Sequence, residues 1–213
     1  MLQSLHVITI STFTFSLIAS AYSYASEEIE DLIDIFESNK EIVAVVNGKK
    51  SVAFSLRPKE TVQWSGAKGN LGAFLTNRHF FVLSTSSRGW HALPIRSGKE
   101  RKRIPVLSPN IALLVDGDRA FGFSAASNRF VRVDLPLYDE LVAAKADKYV
   151  AVVITSSKAY GFSAGASRFS ETRFRGQEVV KDVKITSSKV TIRTSHRILA
   201  FRSDNSSWKE HRL

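Results

Sequence analysis

From about residue 40 onward the apolar positions fall into runs of five or six, separated by short polar punctuation. IVAVV (42–46), LGAFL (71–75), IALLV (111–115), VAVVI (150–154) and VTIRT (190–194) each run into a polar turn, NGK, TNR, DGD, TSS or TS. A second run follows each turn: SVAFS, FFVLS, AFGFS, AYGFS and ILAFR. Such runs are too short for helices, rich in Val, Ile and Phe, and bounded by Gly, Asn, Asp and Ser, which predicts β-strands. Asn-Gly and Asp-Gly accept the positive φ of a tight hairpin, so NGK and DGD predict strand-to-strand turns.

The runs repeat. Aligned on Phe54, Leu83, Phe123, Phe162 and Phe201, they are spaced 29, 40, 39 and 39 residues apart. Seven residues after each of the last four anchors stands an aromatic: Trp90, Phe130, Phe169 and Trp208. A serine follows the anchor at 55, 84, 124 and 163, where the last unit has Arg202. Four residues before the anchor stands Lys50, His79, Arg119, Lys158 or Arg197. A period near 40 with four short strands per unit is the pattern of one propeller blade. The last unit divides into strands over 179–185, 189–195, 197–203 and 207–213. The expected fold is therefore all-β: a single small β-propeller of five blades of antiparallel strands, stacked into a closed ring because one blade cannot bury both faces alone. EIEDLIDIFES (28–38) fits the first, inner strand of blade one, although Ile29, Leu32, Ile33 and Phe36 also recur at helical spacing. The step of 29 leaves unit one about ten residues short, with WSGAKGN in place of a strand.

Residues 1–25 read as a signal peptide and 26–213 as the repeat domain. An uncharged apolar run from Leu5 to Ala21 precedes small residues, with cleavage sites after Ala21 or Ala25, and is shorter than the roughly 20 residues of a spanning helix. The protein is expected to be exported, to the periplasm or outside the cell. The chain has no cysteine, which excludes disulfides, thiolate metal sites and cysteine nucleophiles. Thirty Lys and Arg against 20 Asp and Glu give a formal charge of +10, a field that draws anionic partners.

Candidate chemistry is sparse. The histidines at 6, 79, 91, 196 and 211 show no metal-ligand spacing, and no cofactor is implied. DGD (116–118) lacks the further oxygen ligands of a calcium loop. GFSAG (161–165) has the spacing of a nucleophile elbow, but Ser84 and Ser124 fill the slot of Ser163 in other repeats, so no catalytic residue is assigned. KERKR (Lys99, Arg101, Lys102, Arg103) is a basic loop suited to a membrane surface or anionic polysaccharide; export argues against nucleic acid. The best binding lead is the recurrent basic position. If every unit has the same register, Lys50, His79, Arg119, Lys158 and Arg197 form a circle on one face, where the competing role for such charges is to discourage edge pairing.

The AFGFS and AYGFS strands, each preceded by a polar turn and a basic residue, make residues 40–213 resemble the tectonin and tachylectin type of propeller repeat, and also the longer, glycine-richer repeats of the chromosome-condensation-regulator family. The resemblance implies a binding module, often for sugars. The resulting expectation is a non-enzymatic module docking an anionic or polar protein or glycan. Two alternatives stand beside it: a hydrolase or lyase using the central channel, and an envelope structural subunit anchored by an uncleaved signal.

Overall fold

The computed structural model describes residues 30–96 and 103–213. Residues 1–25, expected to be a signal peptide, and Lys99, Arg101 and Lys102 lie outside the described residues. These contain nineteen strands and no helix, arranged as five antiparallel sheets in chain order, the five blades of a small β-propeller. Blade 1 holds β1 (Ile33–Glu37), β2 (Glu41–Val46) and β3 (Lys50–Ser55). Blade 2 holds β4 (Val62–Lys68), β5 (Leu71–Thr76), β6 (His79–Ser84) and β7 (His91–Pro94). Blade 3 holds β8 (Arg103–Leu107), β9 (Ile111–Asp116), β10 (Arg119–Ser124) and β11 (Arg129–Asp134). Blade 4 holds β12 (Leu141–Asp147), β13 (Val150–Thr155), β14 (Lys158–Ser163) and β15 (Arg168–Arg173). Blade 5 holds β16 (Val180–Thr186), β17 (Lys189–Thr194), β18 (Arg197–Arg202) and β19 (Ser207–Arg212). The hairpin turns behave as their residues demand: Asn47, Gly48 and Gly117 all take φ between 52° and 63°.

Blades stack face to face. The middle strands of blades 2 to 4 are buried along nearly their whole length, which is why they read as unbroken apolar runs rather than as alternations. Leu75, Phe80 and Phe123 pack the seam between blades 2 and 3. Leu113, Tyr160 and Phe162 pack the next, and Val152, Leu199 and Phe201 the last. The aromatic seven residues beyond the anchor is its cross-strand partner: Phe123 faces Phe130, Phe162 faces Phe169, and Phe201 faces Trp208.

Two glycines in third strands set the blade spacing. A β-carbon on Gly122 would lie 2.7 Å from the Phe162 ring, and one on Gly161 2.5 Å from the Phe201 ring. The anchor aromatic of each following blade sits in the space a side chain would fill.

Among the described residues the expected closed ring is not formed. In β2, β17 and β18, deep burial alternates with partial or full exposure, the signature of a sheet covered on one face. Among the described residues no apolar cluster joins blade 5 to blade 1, whereas every other neighbouring pair shares one. Among the described residues the propeller has four packed seams and one open seam.

Blade 1 also differs from expectation in register. The Leu32 amide donates to Gly69 O at 2.9 Å, and the Asn47 amide to Leu32 O at 2.8 Å. Gly69 sits in the turn between the first and second strands of blade 2. The β2–β3 turn is therefore at that same end of the molecule, where the other blades carry the turn between third and fourth strands. Hence β1, β2 and β3 run as second, third and fourth strands. The segment 28–38 does supply a strand, Ile33–Glu37, but not the inner strand expected there. The counterpart of β6 is β2, starting 38 residues earlier, and the missing step disappears. WSGAKGN does not replace a strand; it belongs largely to β4, the first strand of blade 2.

Candidate functional site

The propeller has two faces. The upper face carries the turns between first and second and between third and fourth strands. The lower face carries the turns between second and third strands, and the connections between blades. His79, Arg119, Lys158 and Arg197 open the third strands at the lower face, as the repeat predicts. Lys50 does not join them. It opens β3, a fourth strand, at the upper face, and its ammonium donates to Ser87 O of blade 2 at 3.1 Å.

Each of the four pairs with a carboxylate, Lys158 with Glu171 of β15 at 3.1 Å, and three blades build the threonine link beneath it alike. The second strand ends in threonine, whose hydroxyl accepts the amide of the basic residue: Thr76 from His79 at 2.9 Å, Thr155 from Lys158 at 3.1 Å, Thr194 from Arg197 at 3.0 Å. The same hydroxyl donates to an acid in the connection leading into that blade: Thr76 to Glu60 at 2.7 Å, Thr155 to Asp139 at 2.6 Å, Thr194 to Glu178 at 2.6 Å. In blade 5 the module closes fully. Arg197 grips Glu178 in two bonds, Nε to Oε1 at 2.9 Å and Nη2 to Oε2 at 3.0 Å, and also pairs with Glu210. The Arg197 and Glu178 side chains are 6% and 0% exposed. Burial pushes the Glu178 carboxyl up, but the hydrogen bonds from Arg197 and Thr194 outweigh it and hold the group at about 2. Glu60 is lowered in the same sense: burial raises it, and bonds from Thr76 and His79 prevail. Blade 3 replaces the threonine by Asp116, which is buried between Arg119 (3.1 Å) and Arg103 (3.4 Å).

These bases are therefore turn-locking groups, already neutralised. Arg103 of the KERKR cluster is likewise committed, since it donates to Arg96 O at 2.9 Å as well as pairing with Asp116. At blades 4 and 5 the lower face also exposes large apolar side chains. Leu137 and Tyr138, in the connection into blade 4, are 76% and 99% exposed, and Val142 and Val179 are half exposed. Val142, Val179 and Val180 line a groove of about 230 Å³ between blades 4 and 5, floored by Thr155, Ser156 and Glu178. Asp139, next to Tyr138, bonds the Thr155 hydroxyl, which ties the tyrosine's loop to the groove. Arg173 and Arg175 stand nearby, both more than half exposed. Sequence reasoning missed this patch. Its signal was large apolar residues inside polar connections, LPLYDE and GQEVV.

The recurrent serine is explained by packing. Ser124 Oγ donates to Ala164 O at 2.7 Å and Ser163 Oγ to Ser203 O at 2.7 Å, each reaching the upper-face turn of the next blade. Ser84 reaches Asn128 in the same way, at 2.5 Å. In blade 5, whose outer side meets no further blade among the described residues, the slot holds Arg202, exposed and paired with Asp204 at 2.8 Å. Ser163 of GFSAG is thus a clip between blades. Among the described residues no cluster of three or more His, Asp or Glu could hold a metal ion. On the first strand of blade 4, Lys145 donates to Val183 O at 3.1 Å and Asp147 accepts the Lys148 amide at 2.7 Å.

No known family model matches this chain, and no curated protein matches it. Solved structures that it resembles include PorZ, a bacterial surface component of the type-IX secretion system of Porphyromonas gingivalis, at 9% identity and TM-score 0.43, over 87% of this chain and 27% of that one. They also include apo AztD from Citrobacter koseri (12% identity, TM-score 0.42, 83% and 57% covered). A third is Prp20p from Saccharomyces cerevisiae (8%, 0.42, 79% and 57%). The chain spans between about a quarter and three fifths of the length of these three. None of the matches supports the tectonin and tachylectin type specifically.

Proposed function

We propose that the protein is an exported, non-enzymatic binding module that docks an acidic polypeptide on the lower face of blades 4 and 5. One observation carries this reading. Tyr138, Leu137, Val142 and Val179 stand exposed on a rigid β-scaffold around a groove, while the polar groups beside them are already satisfied. Exposed apolar patches of this kind mark interaction sites, and Tyr and Arg are the side chains that most often anchor them. The +10 charge favours an acidic partner and speeds its encounter, and Arg173 and Arg175, though they share Glu171 and Glu210, are more than half exposed. The buried carboxylates and serines hold turns and seams. A glycan, which the tectonin resemblance implies, is the second reading, because the open Tyr138 ring offers a stacking face.

The test is a photo-crosslinking side chain at position 138, with the same side chain at Arg129 on the upper face as control. The expected result is a discrete protein adduct from 138 alone, formed outside the cytoplasm on a chain beginning at Ser26. Equal adducts from both positions, or none from 138, would contradict a lower-face docking site.

A further inference from the structure

The two ends of the propeller are unlike each other. On blade 5 the outward face is set by register opposite Val190, Ile192, Leu199 and Phe201, which point into blade 4. Its cross-strand rows read Asp182–Arg193–Ile198–His211, Lys184–Thr191–Ala200–Lys209 and Thr186–Lys189–Arg202–Ser207. Five of these side chains are Lys or Arg, all exposed, against one acid. On blade 1 the inward residues Ile42, Ala44 and Val46 pack on blade 2. Its outward rows read Asp34–Val45–Ser51, Phe36–Val43–Ala53 and Glu41–Ser55, with two acids, no cation, and Phe36 60% exposed. The contrast extends to the whole blades. Residues 175–213 carry nine Lys and Arg against four Asp and Glu, and residues 30–57 carry four against five.

We infer that the open faces of blades 1 and 5 bind each other between copies of this chain, head to tail, the basic face of one copy seated on the acidic and apolar face of the next. Charge complementarity selects the occupant. Neither face can pair with itself, because like charges would meet, so a two-fold contact through one face is disfavoured and the heterologous contact is favoured. The blade 1 face brings small residues and a phenylalanine, which suit packing under long lysine and arginine stems. Blade 5 has exchanged the clip serine of blades 2 to 4 for an exposed Arg202 paired with Asp204, so its free face lacks the clip that those blades offer to the next one. This inference stands independently of the lower-face docking site, which uses neither surface.

The experiment is analytical ultracentrifugation of the mature chain across concentration and salt, with two charge-reversed variants. One carries Lys184→Glu, Arg193→Glu and Lys209→Glu on blade 5; the other carries Asp34→Lys and Glu41→Lys on blade 1. All five positions are at the surface, and circular dichroism with melting curves checks that both variants fold. The expected result is self-association of the wild type that weakens at least tenfold between 0.05 and 0.5 M salt, on the order expected for screened charges. Each variant alone is expected to stay monomeric, and an equimolar mixture to associate again, because each reversed face then meets an opposite charge. A monomeric wild type at every concentration, or folded variants that self-associate as the wild type does, would overturn the inference. A mixture that stays monomeric would overturn it as well.

Discussion

Arg197→Ala is expected to remove about 3–5 kcal/mol of stability at neutral pH, the cost of leaving a buried carboxylate without its partner. Glu178 has no solvent to turn to, and Thr194 and the Arg175 amide alone do not replace two guanidinium bonds. The pH dependence follows from the sign of the shift. Glu178 lies at about 2 when folded and near the ordinary 4.5 when unfolded. Its contribution is therefore fully present above about 4.5 and lost as pH falls toward 2, where the folded state must also take up the proton. Denaturant unfolding at pH 7 and pH 3 measures this. The Arg197→Ala deficit should shrink at pH 3, and Glu178→Gln should flatten the acid limb of the stability curve. A deficit below about 1 kcal/mol at pH 7, the size of an exposed ion pair, would show that the module is solvated and does not lock the turn.

Gly161→Val is the second large effect. A β-carbon there lies 2.5 Å from the Phe201 ring, and valine adds two methyl groups, so blade 5 must move away from blade 4. Overpacking of this kind costs about 3 kcal/mol or more in a core that cannot relax. The matched control is Ala200→Val at the same slot in blade 5, where the seam is open; the expected change is within about 0.5 kcal/mol, as for surface positions. Thermal melts of the two variants decide the matter. Equal losses would mean that something covers blade 5 as blade 5 covers blade 4.

Much of the architecture was legible because the same constraints recur in every blade. An anchor aromatic, its cross-strand partner seven residues on, and a clip serine are all required by blade stacking, so they repeat near 39 residues and can be read without coordinates. Blade 1 was misread because SVAFS imitates AFGFS and AYGFS. Its Phe54 packs toward blade 2 from a fourth strand, while the third strand, EIVAVV, carries no aromatic to mark it. The basic position was visible, but its meaning was not. The carboxylates that pair with it keep no common offset: Glu60 and Glu178 lie 19 residues before His79 and Arg197 in the connections, Glu171 lies in β15, and Asp116 ends the strand before Arg119. For the same reason a combined alanine replacement of Arg119, Lys158 and Arg197 is a poor probe of binding, because it strips partners from buried or half-buried carboxylates and weakens the turns themselves. The open seam left a trace that can be read only after the fold is known, in Arg202 where blades 2 to 4 carry the clip serine.

The central claim is the open seam, and the absence of any native cysteine makes it directly measurable. Single cysteines at Ala53 on blade 1, Arg193 on blade 5 and the buried Ala159 would be labelled with a maleimide on dilute protein at high salt, under native conditions. An open propeller predicts that positions 53 and 193 react at nearly the rate of the unfolded chain, while position 159 is protected by orders of magnitude through the opening equilibrium. Protection of 53 and 193 comparable to that of 159 would mean that blades 5 and 1 close on each other within one chain, and would contradict the account.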